Sequence, residues 1–320
     1  SQIFLVSLFE SGLSIGTIKN YRSAIGVIHR GFSDGSSISD NASLGQLLKG
    51  MFVSRPPTRR LVPAWDLPSV LSTLAKPPFE PMGSSTLRHL SIKTTFLLAV
   101  ATSRRRSELH SLTLETGHIR WELTTRSELH SLTLETGHIR WEPHGVRLIP
   151  RVGFLAKNQS ESFTPADIFV PDIKSHSSVP EDRLWCPVRA LKWYVSRTES
   201  IRTTHKHLFV TTTPPHGPAS RDTVSRWLLA AIRADASVPL DARIRPHEVR
   251  AATSSWAFFR GISLSDITEA ASWKTPNTFT DCYLKDIFQT AGSVGRSVLT
   301  SAAQTSTIHR DQPQPGSSRQ

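Results

Sequence analysis

The stretch Ala271-Ser272-Trp273-Lys274-Thr275-Pro276-Asn277-Thr278-Phe279-Thr280-Asp281-Cys282-Tyr283-Leu284 decides how the rest of the chain is read. Thr275 is a good helix N-cap, and Pro276 suits a first helical position. A helix started there carries Tyr283 about two turns in. Tyrosine is scarce, with only Tyr21, Tyr194 and Tyr283 in the chain. A lone Tyr on a helix is usually a packed aromatic. What changes the reading is its company upstream. Arg245-Pro246-His247-Glu248-Val249-Arg250 precedes it, Lys157 lies between two strand-like runs, and Arg104-Arg105-Arg106-Ser107-Glu108-Leu109 closes an apolar run.

Each piece alone is weak. His-x-x-Arg occurs twice, as His144/Arg147 and His247/Arg250. Only the second falls in a predicted helix, where the i,i+3 spacing puts both side chains on one face. Such a pair is more often a surface ion pair than a site. An arginine run after a helix is usually solvated, a lysine at a hairpin tip is usually exposed, and Trp273 could equally be core. The combination is far more specific than its parts.

Composition narrows the setting. The chain has 320 residues and is 38% hydrophobic, enough for a large core and too apolar for general disorder. The formal charge of +12 and a pI near 10.3 point to a polyanionic partner, most simply nucleic acid. Two cysteines, Cys186 and Cys282, make neither a disulfide framework nor a metal set and suit a reducing compartment. No run of eighteen apolar residues exists, so no transmembrane helix is expected. The opening residues lack a basic n-region and an initiator Met, which reads as a piece of a longer protein without a secretory signal.

Residues 1–54 read as helical. Ile15, Ile18, Ala24, Ile25 and Ile28 recur near a 3.6 period, with Lys19 and Arg22 among them, and a second helix fits 42–53. Arg55-Pro56-Pro57-Thr58-Arg59-Arg60 breaks any helix and reads as a linker whose arginines suit a phosphate backbone. Asp66 is a natural N-cap for Leu67–Leu74, and Ser84 or Ser85 starts an apolar helix that delivers Arg105 at its end. Strands fit 145–151, 162–170 and 207–210. Helices fit the run opened by Cys186-Pro187, the face of Val224, Trp227, Leu228, Ala231 and Ile232 capped by Ser220, the segment 246–259, and a run capped by Ser263. The expected fold class is therefore mostly α with a small antiparallel β-sheet. The divisions are a helical segment 1–54, a linker 55–65, a domain 66–290 and a disordered tail 291–320.

One oddity stands inside that domain. Residues 106–122 recur without a change at 126–142. Two copies make no solenoid. An undiverged repeat marks either a recent duplication or an assembly artefact. Only the first copy follows Arg105, because the second has Thr125 at that place. The first copy should therefore hold the helix next to Arg105. The second should supply the strand beside 145–151, since its connection is short.

The ordered set of two arginines, a lysine, a histidine, a tryptophan and a tyrosine resembles the catalytic domain of tyrosine recombinases, the lambda-integrase family. Within it the phrasing Arg104 to Leu109, Cys186-Pro187-Val188-Arg189-Ala190-Leu191 and Trp273 to Leu284 looks most like the recombinases of DIRS-type retrotransposons. The likeness covers roughly 60–290, and 1–54 is similar to part of the family's helical core-binding domain. The resemblance implies Arg105, Lys157, His247, Arg250 and Trp273 as the phosphate-activating set and Tyr283 as nucleophile. It implies DNA contacts by Lys19, Arg22, Arg55, Arg59 and Arg60, double-stranded DNA as partner, self-association during synapsis, and a nuclear location. It calls for no cofactor, no metal and no membrane. Trp273 and Tyr283 are ten residues apart, one more than the family's usual spacing. Two further readings remain beside it, a decayed DNA-binding remnant without chemistry and a type IB topoisomerase.

The chemistry accounts for the residue types. A phosphodiester anion must be neutralised before an anionic nucleophile approaches, and two guanidinium forks match its non-bridging oxygens better than point charges. They also hold the extra charge of the transition state. Tyrosine is protonated at neutral pH, so nearby cations and a histidine acceptor are needed to activate it.

Overall fold

The computed structural model describes residues 2–29, 31–32, 35–56, 62–112, 139–148, 167–202 and 207–287. Lys157, Arg59, Arg60 and the tail 291–320 lie outside the described residues. The chain divides into two units, 1–60 and 61–320.

The first unit holds α1 (Gln2–Glu10), α2 (Ile15–Ile28) and α3 (Ala42–Ser54). Ser14 and Asn41 cap α2 and α3 through side-chain oxygens that accept from Thr17 N and Leu44 N. The helices bury Leu5, Ile15, Ile18, Ile38, Leu44, Leu48 and Met51 against one another. Arg55 locks this small core. Its Nη2 donates to the carbonyls of Phe9 and Leu13 at 2.8 Å each, and its guanidinium sits 3.9 Å from the Phe9 ring centre.

The second unit is built round α5 (Leu87–Thr102), whose residues Leu90–Ala99 are all buried. Preceding it is α4 (Leu67–Leu74), capped by Asp66 as expected. The cap of α5 itself is Thr86, one or two residues later than the sequence suggests. A helix buried on all sides needs its polar residues satisfied. Lys93, fully buried, donates to Leu74 O at 2.8 Å and Glu80 Oε1 at 2.5 Å, and Arg189 closes the network on the same carboxylate. Against α5 pack α7 (Pro187–Thr198), α8 (Arg221–Arg233) and α9 (Glu248–Phe259).

After α5 come α6 (Arg106–His110) and then β1 (Ile139–Glu142), β2 (Gly145–Leu148) and β3 (Ile168–Pro171), an antiparallel sheet in the order β1-β2-β3. Ile139 faces Leu148 and Glu142 faces Gly145 across a tight hairpin. Gly145 is required there, because a Cβ would lie 2.4 Å from Val170 O and within 3 Å of the Phe169 ring. The first repeat copy thus forms α6 and the second forms β1, as its flanking sequence implies. The chain continues through α10 (Leu264–Ala270) to a π-turn, Phe279–Tyr283.

One expected strand is absent. At 207–210 there are only isolated bridge residues, His207 and Val210, the latter paired with Pro218, and no ladder. The backbone groups are spent elsewhere: Arg202 donates to the carbonyls of His207 and Leu208, and Leu208 N donates to Leu112 O at 2.8 Å. No described helix is long and apolar enough to cross a membrane.

Candidate active site

Three segments of the second unit converge. The first is the exit of α5. Ser103 ends that helix in the left-handed region at φ 49°, and Arg104 and Arg105 then lead into α6. Arg105 N donates to Glu108 Oε2 at 3.0 Å and Arg105 Nη1 to Glu108 Oε1 at 3.2 Å. Glu108 is buried, while Arg105 keeps about a fifth of its side chain exposed. Burial pulls the neighbouring Arg104 guanidinium below its ordinary value.

The second segment is α9. His247 is its first cap residue and Arg250 lies one turn on, so both share a face as the spacing predicts. Arg250 is 3% exposed. Its Nη2 donates to Ala271 O, and its Nη1 lies 3.9 Å from Glu108 Oε2, an ion pair without a hydrogen bond. Its Nε and Nη1 have no hydrogen-bond partner among the described residues. Removal from water lowers Arg250 to about 10, with Glu108 opposing the fall and Arg105 adding to it. It remains a cation at neutral pH.

The third segment runs from Ala271 to Leu284. Ser272 takes the left-handed region at φ 51° and turns Trp273 inward, 2% exposed. Ser103 and Ser272 are the two non-glycine residues at positive φ among the described residues, and each immediately precedes site residues. Trp273 stacks on Phe279 at 5.7 Å and meets the Tyr283 ring at 4.8 Å. The Arg250 guanidinium lies 4.5 Å from the Trp273 ring centre and 5.5 Å from that of Tyr283. Trp273 Nε1 has no hydrogen-bond partner among the described residues.

Tyr283 is not two turns into an α-helix. The helical turns do start over Thr275 and Pro276, but they widen, and Leu284 N closes on Phe279 O at 2.8 Å in an i→i+5 bond. A π-turn holds one residue more than an α-turn. Ten residues on from Trp273, the Tyr283 ring still meets the indole.

His247 is held below its ordinary pKa. Loss of water is the largest cause; Glu248 opposes it, and Arg245, Lys285 and Arg106 add to the fall. The imidazole is therefore neutral near pH 7 and able to accept a proton. The structure thus gathers Arg105 and Arg250 on Glu108, and Arg250, Trp273 and Tyr283 in one stack, with His247 on the same helix as Arg250. Lys19, Arg22 and Arg55 belong to the first unit, and the Arg55 guanidinium is engaged by carbonyls of that unit.

Glu108 is the member whose role sequence reasoning missed. Its signal was present: an acid three residues after the residue preceding a helix is the capping-box position. The rival His144/Arg147 pair lies in the β-hairpin, where Arg147 Nε donates to Glu142 Oε1 at 2.8 Å. Among the described residues no group of three or more His, Cys, Asp or Glu is arranged to hold a metal ion.

No family model matches the chain, and no curated protein matches it by sequence. Solved structures do match by fold. XerH site-specific recombinase bound to palindromic difH substrate, in a post-cleavage complex, aligns at a TM-score of 0.54 and 13% identity, over 92% of this chain and 71% of that one. The Tn1549 transposon integrase in complex with transposon right end DNA aligns at 0.49 and 14%, over 93% and 84%. XerA recombinase aligns at 0.41 and 16%, over 98% and 91%. At such identities the likeness is one of fold. The helical body with its three-stranded antiparallel sheet matches the tyrosine recombinase catalytic fold.

Proposed function

We propose that this chain cuts and rejoins DNA through a 3′-phosphotyrosyl intermediate on Tyr283, serving recombination or integration of a mobile element of the DIRS retrotransposon type. The observation that carries this reading is the set of buried, open donors beside the phenol. Arg250 Nε and Nη1 and Trp273 Nε1 are buried with no hydrogen-bond partner among the described residues, and the Tyr283 ring lies against both residues. Buried donors without acceptors are costly unless a ligand supplies them. A phosphodiester does so, with non-bridging oxygens and a charge to match the guanidinium.

In this reading Tyr283 Oη attacks the phosphorus and the bond to the 5′-oxygen breaks. Neutral His247 takes the phenolic proton, directly or through water. Lys157, or a water it orients, returns a proton to the leaving 5′-oxygen. Arg105, Arg250 and Trp273 hold the charge that builds on the non-bridging oxygens. The phosphotyrosyl ester keeps the bond available, so the reverse attack by a 5′-hydroxyl rejoins strands without a nucleotide cofactor. Duplex DNA is the partner, with the chain self-associating on it in the nucleus.

The test is covalent capture on nicked duplex oligonucleotides of mixed sequence. A denaturant-stable adduct should map to Tyr283, and Tyr283→Phe should abolish it while DNA is still bound. An adduct on Tyr21 or Tyr194, or one that survives Tyr283→Phe, overturns the assignment.

A further inference from the structure

The π-turn that carries Tyr283 ends on an unusual anchor. Leu284 leaves the turn in extended backbone, at φ −56° and ψ 125°. The next amide, Lys285 N, donates to Ser255 Oγ at 2.8 Å. Ser255 is fully buried on α9, five residues beyond Arg250 and eight beyond His247. Its hydroxyl also donates to Ala251 O at 2.7 Å, so it serves as donor inside its own helix and acceptor for the nucleophile segment at once.

We infer that Ser255 is a positioning residue that fixes the Tyr283 segment in register with His247 and Arg250. The inference rests on the proposed role of Tyr283. A π-turn is a short element held by few bonds of its own, and on its outgoing side the chain is tied by this hydroxyl to the helix that carries the phosphate donors. Without the acceptor, the half-buried Lys285 amide loses this bond and the exit of the turn is held less firmly to α9. A misplacement of the nucleophile by a fraction of a turn is enough to slow attack.

Ser254 supplies the control. It is equally buried and donates to Arg250 O at 2.8 Å, the same backbond within α9, and it makes no tie to the Tyr283 segment. In the full chain, Ser255→Ala should lower the single-turnover capture rate at saturating nicked DNA about tenfold, as one lost hydrogen bond implies, with half-saturation unchanged. Ser255→Thr, which keeps a hydroxyl, should restore most of the rate. Ser254→Ala should match wild type. Independently of DNA, amide exchange in the peptide 279–287 should quicken in Ser255→Ala and not in Ser254→Ala. If that exchange is unchanged, or if Ser254→Ala slows capture as much, the positioning role is overturned. If exchange quickens as stated while no variant and no wild type forms an adduct, the tie stands as structure and the reading of Tyr283 is what fails.

Discussion

The two copies of the repeat are identical in sequence, and the described residues take in the start of one and the end of the other. In the first, Arg106–His110 form α6, with Leu109 fully buried and Glu108 holding two arginines. In the second, the described part is the strand Ile139–Glu142, paired to β2. Each described part is continuous with a different flank. Ser103 and Arg105 deliver the first copy to the site. Pro143, His144 and Gly145 deliver the second to the sheet. Residues 113–138, between the two described parts, include the 20 residues that the duplication adds.

The sharpest way to break this comparison is to make one substitution in each copy. Leu109→Ala should destabilise the protein by about 3 kcal/mol, the range for a fully buried leucine. Leu129→Ala should leave the unfolding midpoint near wild type. Equal losses from the two variants would mean that both copies are packed alike. Removing a copy comes next. Deleting 123–142 joins Glu122 to Pro143, lets 119–122 take the strand, and shortens the link after α6 from 113–138 to 113–118. The loop-closure gain is about 1 kcal/mol. A rise in Tm of about 2–4 °C follows for a domain of this size. A melting temperature that is unchanged or lower would show the insert to be supported by contacts of its own.

The smallest effect concerns charge. His247 has a folded pKa depressed below its unfolded value, so its neutral form persists to lower pH than in an ordinary histidine. By linkage, the stability tied to that neutral form is complete above the unfolded value near 6.5 and declines as pH falls through it. The acid limb of the capture rate should accordingly lie below about 6.5. Arg106 is one of the cations that depress His247, whereas its duplicate is Arg126. Arg106→Gln should move the acid limb upward, by less than Arg245→Gln does. Arg126→Gln should not move it. A shift of equal size from Arg126→Gln would remove the distinction between the copies.

Much of the fold was legible because its signals are local. Asp66, Ser220 and Ser263 each accept from the amide three residues on, where the capping pattern puts them. The pairing of His247 with Arg250 followed from helical spacing alone. What sequence could not give was the fate of groups consumed by distant partners. Arg202 and Leu112 take the backbone that would have made a strand at 207–210. Arg55 reads as a surface cation and is held against Phe9 and Leu13. Ser255 reads as a helical serine, and only the folded chain brings Lys285 to it.

The π-turn has a consequence for how such chains are recognised. Motif patterns count residues, and a pattern with a fixed gap between indole and phenol would pass over a chain with one residue too many. The i→i+5 closure from Leu284 to Phe279 packs one residue more into its turn than an α-turn holds, so residue count and ring spacing need not go together. Here the ring centres of Trp273 and Tyr283 still stand 4.8 Å apart. A pattern written in ring-to-ring distance, with the gap left free by one, would catch relatives that a fixed gap loses.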